Sequence, residues 1–469
     1  MPGLSRLDLS SIVKAYDVRG VVPDQLDAEV ARALGAAFVR VVDAAGSSGS
    51  SGTAVVVGQD MRPSSPELVA AFADGATSQG ADVIDIGLAS TDLLYFASGS
   101  LGLPGAMFTA SHNPAQYNGI KLCRAGALPV GQDSGLAEVR ELAETGVPEH
   151  DGPRGSMTTR DLLTAYADHL RSLVDLTGNR RLKVVVDAGN GMGGHTVPTV
   201  LSGLPVDLVP MYFELDGTFP HHEANPLDPA NLVDLQERVR AERADVGLAF
   251  DGDADRCFVV DERGDPVSPS AVTAMVAVRE LARHPGGTVL HNLITSRAVP
   301  EIVREHGGVP VRTRVGHSFI KAEMAATGAI FGGEHSAHYY FRDFWSADTG
   351  MLAALHVLSA LGEQDKPLSV LAAGFERYVA SGEINSVVAD QSVAVGQVRD
   401  RYAGRDGVTV DDLDGMTVQA PDWWFNLRGS NTEALLRLNV EAGDRAMMDT
   451  VRDDVLAIVR GDAADPKET

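Results

Sequence analysis

Only two of the 469 residues are cysteine, Cys123 and Cys257, and both fall in apolar, strand-like stretches. That excludes a disulfide framework or a cysteine metal centre as the organising device and fits a reducing compartment. Positive charge is scarce as well: 39 Lys and Arg stand against 64 Asp and Glu, a formal net charge of −25. A surface of that sign argues against binding a nucleic-acid backbone. A small anionic substrate stays compatible with it, because a few converging Arg and Lys side chains override the mean charge locally. No apolar run is long enough to cross a bilayer, and the opening "MPGLSRLDLSSIVKAYD" lacks the basic-then-apolar order of a signal peptide. The expectation is a cytoplasmic monomer with no membrane partner and no nucleic-acid partner.

What is present is ordinary globular composition, 44% hydrophobic and 22% charged, with short β-branched runs alternating with helical patterns. The first region reads as strand "AVVVGQD", helix "SPELVAAFADGATSQG" and strand "DVIDIGL". A helix near "DLLTAYADHLRSLVDL" and an apolar strand "LKVVVDAGN" open the second. The third repeats the theme in "GTVLHNLIT", "SRAVPEIVREHG", "VPVRTRVG" and "HSFIKAEMAATG", and ends on "AIFGGEHSAHYYF" as a strand. From about residue 375 strands with hairpin-like turns take over, closed by the helix "DRAMMDTVRDDVLAIVRG". The reading is α/β: three similar units at 1–152, 153–262 and 263–374, and a smaller α+β unit at 375–469. "TGVPEHDGPRGSMTTR" reads as a linker, "GSSGSSG" at 46–52 as a flexible surface loop, and the tail "GDAADPKET" as frayed.

Five stretches carry candidate chemistry. "GAMFTASHNPAQYNGIKL", 105–122, sets Ser111 and His112 between an apolar run and a polar loop. It is not the G-x-S-x-G elbow of a serine hydrolase, so acyl transfer loses ground. A strand-end serine can instead carry a phosphoryl group, given a metal and a positive neighbour such as Lys121; a plain turn serine is the competing reading. "DGDADR", 251–256, alternates Asp251, Asp253 and Asp255, so that in an extended loop their carboxylates converge on one hard cation. Arg256 at position six and the flanking strands rule out an EF-hand, despite Glu262 at the twelfth position. Three carboxylates that leave positions open suit Mg²⁺, and a solvated acidic turn is the alternative. "GNGMGG", 189–194, satisfies G-x-G-x-x-G with Glu214 near the ribose position, so a dinucleotide-binding oxidoreductase competes with a tight turn. "RGSNTE", 428–433, offers the Arg428 fork with Ser430, Asn431 and Thr432 as a phosphate cradle, or else an ordinary hairpin turn. In "GEHSAH", 333–338, Glu334, His335, Ser336 and His338 can grip hydroxyls or simply end a strand.

Together, "TASHNP" with "YNGIK", "DGDADR", "GEHSAH" and "RGSNTE" resemble, in order and approximate spacing, the motifs of the α-D-phosphohexomutase superfamily. The likeness extends to "KAYDVRG" and "VGHSFIK", and is greatest to the bacterial phosphomannomutase/phosphoglucomutase branch. Ala254 stands where glycine is common, and "RGSNTEA" lacks a frequent proline. The resemblance implies three topologically related α/β domains with mixed sheets and a smaller C-terminal domain around a central cleft. It further implies a phosphorylated Ser111, with Mg²⁺ held by Asp251, Asp253, Asp255 and the phosphoserine. Arg428, Ser430, Asn431 and Thr432 would hold the substrate phosphate, and Glu334 and Ser336 the sugar hydroxyls. Lys121, His317, Arg19 and Arg256 would stabilise charge and move protons, with His338 a further acid/base candidate. The implied reaction interconverts mannose 6- and 1-phosphates through a hexose 1,6-bisphosphate, which also serves as activator; glucose phosphates are accepted too, and the product feeds GDP-mannose synthesis.

Overall fold

The computed structural model describes residues 7–44, 54–429 and 435–461; the Gly/Ser run at 46–52 and the tail from 462 lie outside them. Among the described residues, four sheets organise the fold. In the first, Ala54–Gln59 runs parallel to Asp82–Leu88 and Gly105–Phe108, and Tyr117–Arg124 and Val18–Val21 continue it antiparallel. In the second, Leu182–Asp187 is parallel to Val206–Met211 and Val246–Phe250, and Cys257–Asp261 is antiparallel. In the third, Thr288–Asn292 is parallel to Val309–Thr313 and Phe331–Gly333, and Tyr339–Phe341 is antiparallel. The fourth sheet is antiparallel throughout, in the order Val379–Val387, Leu435–Ala442, Trp423–Gly429, Met416–Gln419, Thr409–Asp411.

The central strands are apolar runs because both of their faces are covered, as a parallel sheet requires; Val246–Phe250 is buried at every residue. One continuous apolar core runs from Val56 and Leu94 through Val184 and Leu248 to Val289 and Leu355, so the first three units pack as one body. The fourth sheet has its own core, around Val398, Phe425, Leu438 and Val455. Its links to the third unit are polar: Arg297 donates to the carbonyls of Pro421 (2.7 Å) and Ala420 (3.1 Å), and Arg312 pairs with Asp411 at 2.7 Å.

Each mixed sheet ends in the same device. The last strand of the parallel set turns back through a short loop into an antiparallel partner, and the loop leaves from a strand's carboxyl end. These loops are residues 109–116, 251–256 and 334–338, and the fourth sheet's matching hairpin joins Trp423–Gly429 to Leu435–Ala442. Three of the four motif stretches are therefore hairpin loops, and the fourth, 430–434, lies outside the described residues.

Some elements differ from expectation. "AIFGGEHSAHYYF" is two strands, not one, because Ala337 at φ +63° and the Glu334 N–H donating to His338 O (3.0 Å) close a tight turn. The stretch taken as a linker contributes Met157–Thr159, an exposed edge strand parallel to Asp82–Leu88. Between Leu88 and Gly105 lies the helix Thr91–Leu101, started by the Ser90 hydroxyl accepting from Leu93 N.

That helix holds a buried carboxylate where three units meet. Asp92 accepts hydrogen bonds from Ser90 Oγ, from Tyr166 OH (2.6 Å) and from Thr349 Oγ1 (2.6 Å). Burial raises its pKa from 3.8 to about 6, against the lowering effect of those hydroxyls. A carboxyl raised in the folded state stabilises fully below its unfolded pKa, and that contribution disappears as pH rises through the folded value. Asp92→Asn, which cannot titrate, is expected to gain about 3 kcal/mol relative to wild type between about pH 4 and pH 7. Parallel chemical-denaturation curves across that range check it; a difference that stays constant with pH would refute it.

Candidate active site

Ser111 sits in the first hairpin loop at φ +52°, a left-handed conformation that costs a non-glycine residue about 1 kcal/mol or more. Three contacts hold it there. Its N–H donates to Thr109 Oγ1 (2.8 Å), its carbonyl accepts from Arg62 Nη2 (2.9 Å), and Gly252 approaches so closely that a Cβ there would lie 2.4 Å from Ser111 O. Arg62 is fully buried and also donates to the carbonyls of Asn113 (2.7 Å), Pro114 (2.9 Å) and Tyr117 (2.8 Å), with its Nε on Asp60 at 3.1 Å. Burial raises the Asp60 carboxyl and lowers the Arg62 guanidinium, and each opposes the other's shift. The Ser111 hydroxyl, 5% exposed with its residue, donates to Asp251 Oδ2 at 2.9 Å and lies 3.2 Å from His112 Nδ1. Burial, then Arg256 and Arg19, lower the His112 pKa well below its usual value, so the ring is neutral.

The second loop meets the first head-on. Asp251, Asp253 and Asp255 are buried, and one oxygen of each lies within 4.8 Å of the others. Lys121, on the strand leaving the Ser111 loop, bridges Asp253 and Asp255 at 2.6 Å each. Burial works against the Lys121 charge, but those carboxylates raise its pKa well above normal, so it stays an ammonium. Burial likewise opposes the Asp253 charge, yet Lys121 and the Thr91 hydroxyl (2.6 Å) hold its carboxyl far below the usual range. Asp251 is pushed up by burial, against Arg256, whose Nε lies 2.8 Å from it. Asp253 Oδ1 and Asp255 Oδ1 are buried with no hydrogen-bond donor, which is the arrangement a hard cation completes. The residues present therefore fit a divalent metal. Ala254 in this loop takes φ +58°, which is why glycine suits the position.

"GNGMGG" belongs to the same construction. A Cβ at Gly191 would stand 2.6 Å from Gly252 O, and the Met192 N–H donates to that carbonyl at 2.9 Å. Gly191 therefore lets this loop back the 251–256 loop, a packing role that accounts for that glycine without a dinucleotide.

The third loop closes from the far side. Glu334, 2% exposed, accepts from Tyr340 OH (2.7 Å), Gly316 N (3.2 Å) and Asn292 Nδ2 (3.3 Å). His338 lies 3.7 Å from both Asp255 and Glu334 and 3.0 Å from Ser336 Oγ. Arg19 reaches the first loop by donating to Asn113 Oδ1 and is paired with Asp17 at 2.6 Å. His317 opens the helix His317–Thr327, but its side chain lies outside the described residues, as do Ser430, Asn431 and Thr432. Arg428 stands at the end of Trp423–Gly429, next to those residues, with its Nη2 on Glu383 at 3.0 Å. His335 turns toward this sheet: burial lowers its pKa, and the charges of Glu383 and Arg428 act on it.

Four family models match the chain in order: phosphoglucomutase/phosphomannomutase alpha/beta/alpha domain I at residues 10–147, domain II at 164–264, domain III at 269–378 and the C-terminal domain at 383–458. The chain belongs to the phosphoglucomutase/phosphomannomutase family. Other proteins align with this family member almost end to end. It is 38% identical to a phosphomannomutase of Escherichia coli over 458 residues, 95% of this chain and 98% of that protein. It is 40% identical to the phosphohexose mutases of Xanthomonas campestris pv. campestris over 451 residues, 96% and 99% of the two lengths. A phosphoglucomutase/phosphomannomutase family crystal structure from Burkholderia thailandensis superposes with a TM-score of 0.87 at 34% identity, covering 97% and 98% of the chains. No helix among the described residues of this phosphoglucomutase/phosphomannomutase family chain is long and apolar enough to cross a membrane.

Sequence reasoning missed Arg62, Thr91, Asn292 and Tyr340, all of which hold site residues in place. Only Arg62 left a signal, as a lone Arg two residues past the apolar strand "AVVVGQD".

Proposed function

We propose that the protein is a phosphomannomutase that interconverts mannose 6-phosphate and mannose 1-phosphate, accepts glucose phosphates, and carries the phosphoryl group on Ser111. The observation that supports it most is the meeting of the Ser111 hydroxyl with the carboxylates of Asp251, Asp253 and Asp255, beside an ammonium locked on two of them. In the forward half-reaction the free hydroxyl of a hexose monophosphate attacks phospho-Ser111. The new P–O bond forms on the sugar, the Ser111 P–O bond breaks, and the hydroxyl proton is passed on while Ser111 Oγ regains one. The resulting hexose 1,6-bisphosphate reverses in the cleft and returns its other phosphate to Ser111, so added bisphosphate primes enzyme that has lost its phosphoryl group.

Lys121, Arg256 and Arg19 carry positive charge to the transferring group. Lys121 and His317 move protons beside the phosphoserine as well, with His338 as a further proton carrier. Arg428 with Ser430, Asn431 and Thr432 holds the phosphate that does not react. Asp251, Asp253, Asp255 and the phosphoserine would hold one Mg²⁺, which would neutralise the charge that builds up on the transferring phosphoryl oxygens. Dividing the chain after residues 152, 262 and 374 gives each loop a unit of its own, and closure of the fourth over the sugar keeps water from Ser111. The protein then works as a monomer in the cytoplasm, and its product supplies GDP-mannose synthesis.

Glu334 and Ser336 take the 3- and 4-hydroxyls. Those are equatorial in both glucose and mannose, which differ only at C2, so the grip cannot separate the two sugars. The test is to incubate the protein with Mg²⁺, a trace of hexose 1,6-bisphosphate and, in turn, mannose, glucose and glucosamine 1-phosphates. Mannose at or above glucose is expected; glucose or glucosamine far ahead would keep the mechanism and change the substrate. No conversion of any of the three would refute the proposal.

A further inference from the structure

Tyr340 lies on the strand Tyr339–Phe341 with its ring fully buried in an apolar socket formed by Leu290, Ile320, Met324 and Ala329. A phenylalanine would fill that socket equally well. Burying a phenol hydroxyl is costly unless it is hydrogen-bonded, so the position of its partner tells what it is for. The partner is Glu334 Oε2 at 2.7 Å, the shortest of the hydrogen bonds on that carboxylate. Asn292 and the Gly316 N–H take Oε1 at 3.3 and 3.2 Å. The backbone of the loop is fixed separately, by Glu334 N on His338 O (3.0 Å) and Ala337 N on Glu334 O (3.1 Å). Without Tyr340, the loop keeps its turn but the carboxylate loses the contact that fixes its Oε2 edge.

We infer that Tyr340 is a positioning residue that aims the Glu334 carboxylate at the sugar hydroxyls; this rests on the hexose-phosphate reading of the site. A carboxylate has about four acceptor positions, and three here are taken by protein donors. The orientation of the remainder decides whether a sugar hydroxyl meets a lone pair or misses it. Tyr340 touches neither the reacting phosphoryl group nor the metal carboxylates, and a phenylalanine keeps its stacking on His338 (ring centroids 6.4 Å apart), so the effect of the hydroxyl falls on sugar capture.

The test compares wild type and Tyr340→Phe on mannose or glucose 1-phosphate and on the 3-deoxy and 4-deoxy glucose 1-phosphates. With the full sugar, KM is expected to rise about tenfold while kcat stays within about threefold, the loss of one hydrogen bond to a charged group. With at least one deoxy analogue that penalty should vanish, because the hydroxyl that Glu334 was aimed at is gone. A Tyr340 whose role is only structural would tax every substrate alike, and that result would overturn the inference, as would no penalty at all. Wild-type enzyme inactive on every hexose phosphate would defeat the underlying reading and the inference together. Active wild type with an unaltered Tyr340→Phe variant would defeat the inference alone.

Discussion

Ser111→Ala is expected to lower kcat by at least about four orders of magnitude, with Mg²⁺ and hexose 1,6-bisphosphate both in excess. In the proposed reaction the serine oxygen carries the phosphoryl group between the two ends of the sugar, so no supply of bisphosphate replaces it. The fold should be almost unaffected. The backbone of residue 111 is held by Thr109, Arg62 and the close approach of Gly252, none of which touches the hydroxyl. Asp251 loses one donor but keeps Arg256, through its N–H at 3.2 Å and its Nε at 2.8 Å, so stability should change by about 1 kcal/mol or less. Intact-mass measurement after incubation with bisphosphate gives an independent reading: wild type gains one phosphoryl group and the variant none. A variant that turns over at even about a hundredth of the wild-type rate would remove Ser111 from the reaction path.

Arg62→Met is expected to be nearly as damaging, although Arg62 takes no part in the chemistry. Its guanidinium collects the carbonyls of Ser111, Asn113, Pro114 and Tyr117 and neutralises Asp60, all in a buried setting. Methionine matches its length and supplies no donors, leaving those carbonyls unpaired and Asp60 buried without a cation. Removing one partner of a buried pair costs about 3–5 kcal/mol. The Ser111 loop then loses its fixed shape, and displacement of the reacting oxygen by about 1 Å costs about a hundredfold in rate. Lysine should not rescue, because a single ammonium cannot span the fork of carbonyls. Denaturation midpoints together with kcat for Arg62→Met, Asp60→Asn and the double variant check the account. The double variant should lose less stability than the sum of the singles, since it removes the stranded charge. Wild-type stability and rate in Arg62→Met would contradict it.

How far the sequence could be read depended on the distance over which a residue acts. "TASHNP", "DGDADR" and all but the first residue of "GEHSAH" were legible because each lies within one hairpin loop, where spacing along the chain maps directly onto spacing in space. Arg62 grips Ser111 across 49 residues, Thr91 holds Asp253 across 162, and Thr349 caps Asp92 across 257. Those contacts exist only once sheets have docked, and no local pattern encodes them. Tyr340 was hidden differently, as one more aromatic residue in an apolar strand whose hydroxyl partner lies beyond a turn that the sequence does not announce. The helix Thr91–Leu101 escaped because it is buried on nearly every side, so its apolar residues trace no stripe; its Ser90 cap was the one available clue. The alternation of strands and helices, in contrast, follows from strands buried on both faces, and that signal is strong in "LKVVVDAGN" and "DVGLAF".

The placement of the motif loops at matching ends of separate sheets has a consequence for how the protein can be damaged or divided. No unit holds a reduced version of the proposed catalytic centre: the proposed nucleophile, the carboxylates and the proposed sugar grip each arrive on a different support, and contacts such as Ser111 to Asp251 and His338 to Asp255 exist only across seams. Fragments cut between units would therefore be inert singly, however well each one folded, and activity would return only with their reassociation. A substitution deep in a seam is accordingly a change to the chemistry, even when every residue of the loops is intact.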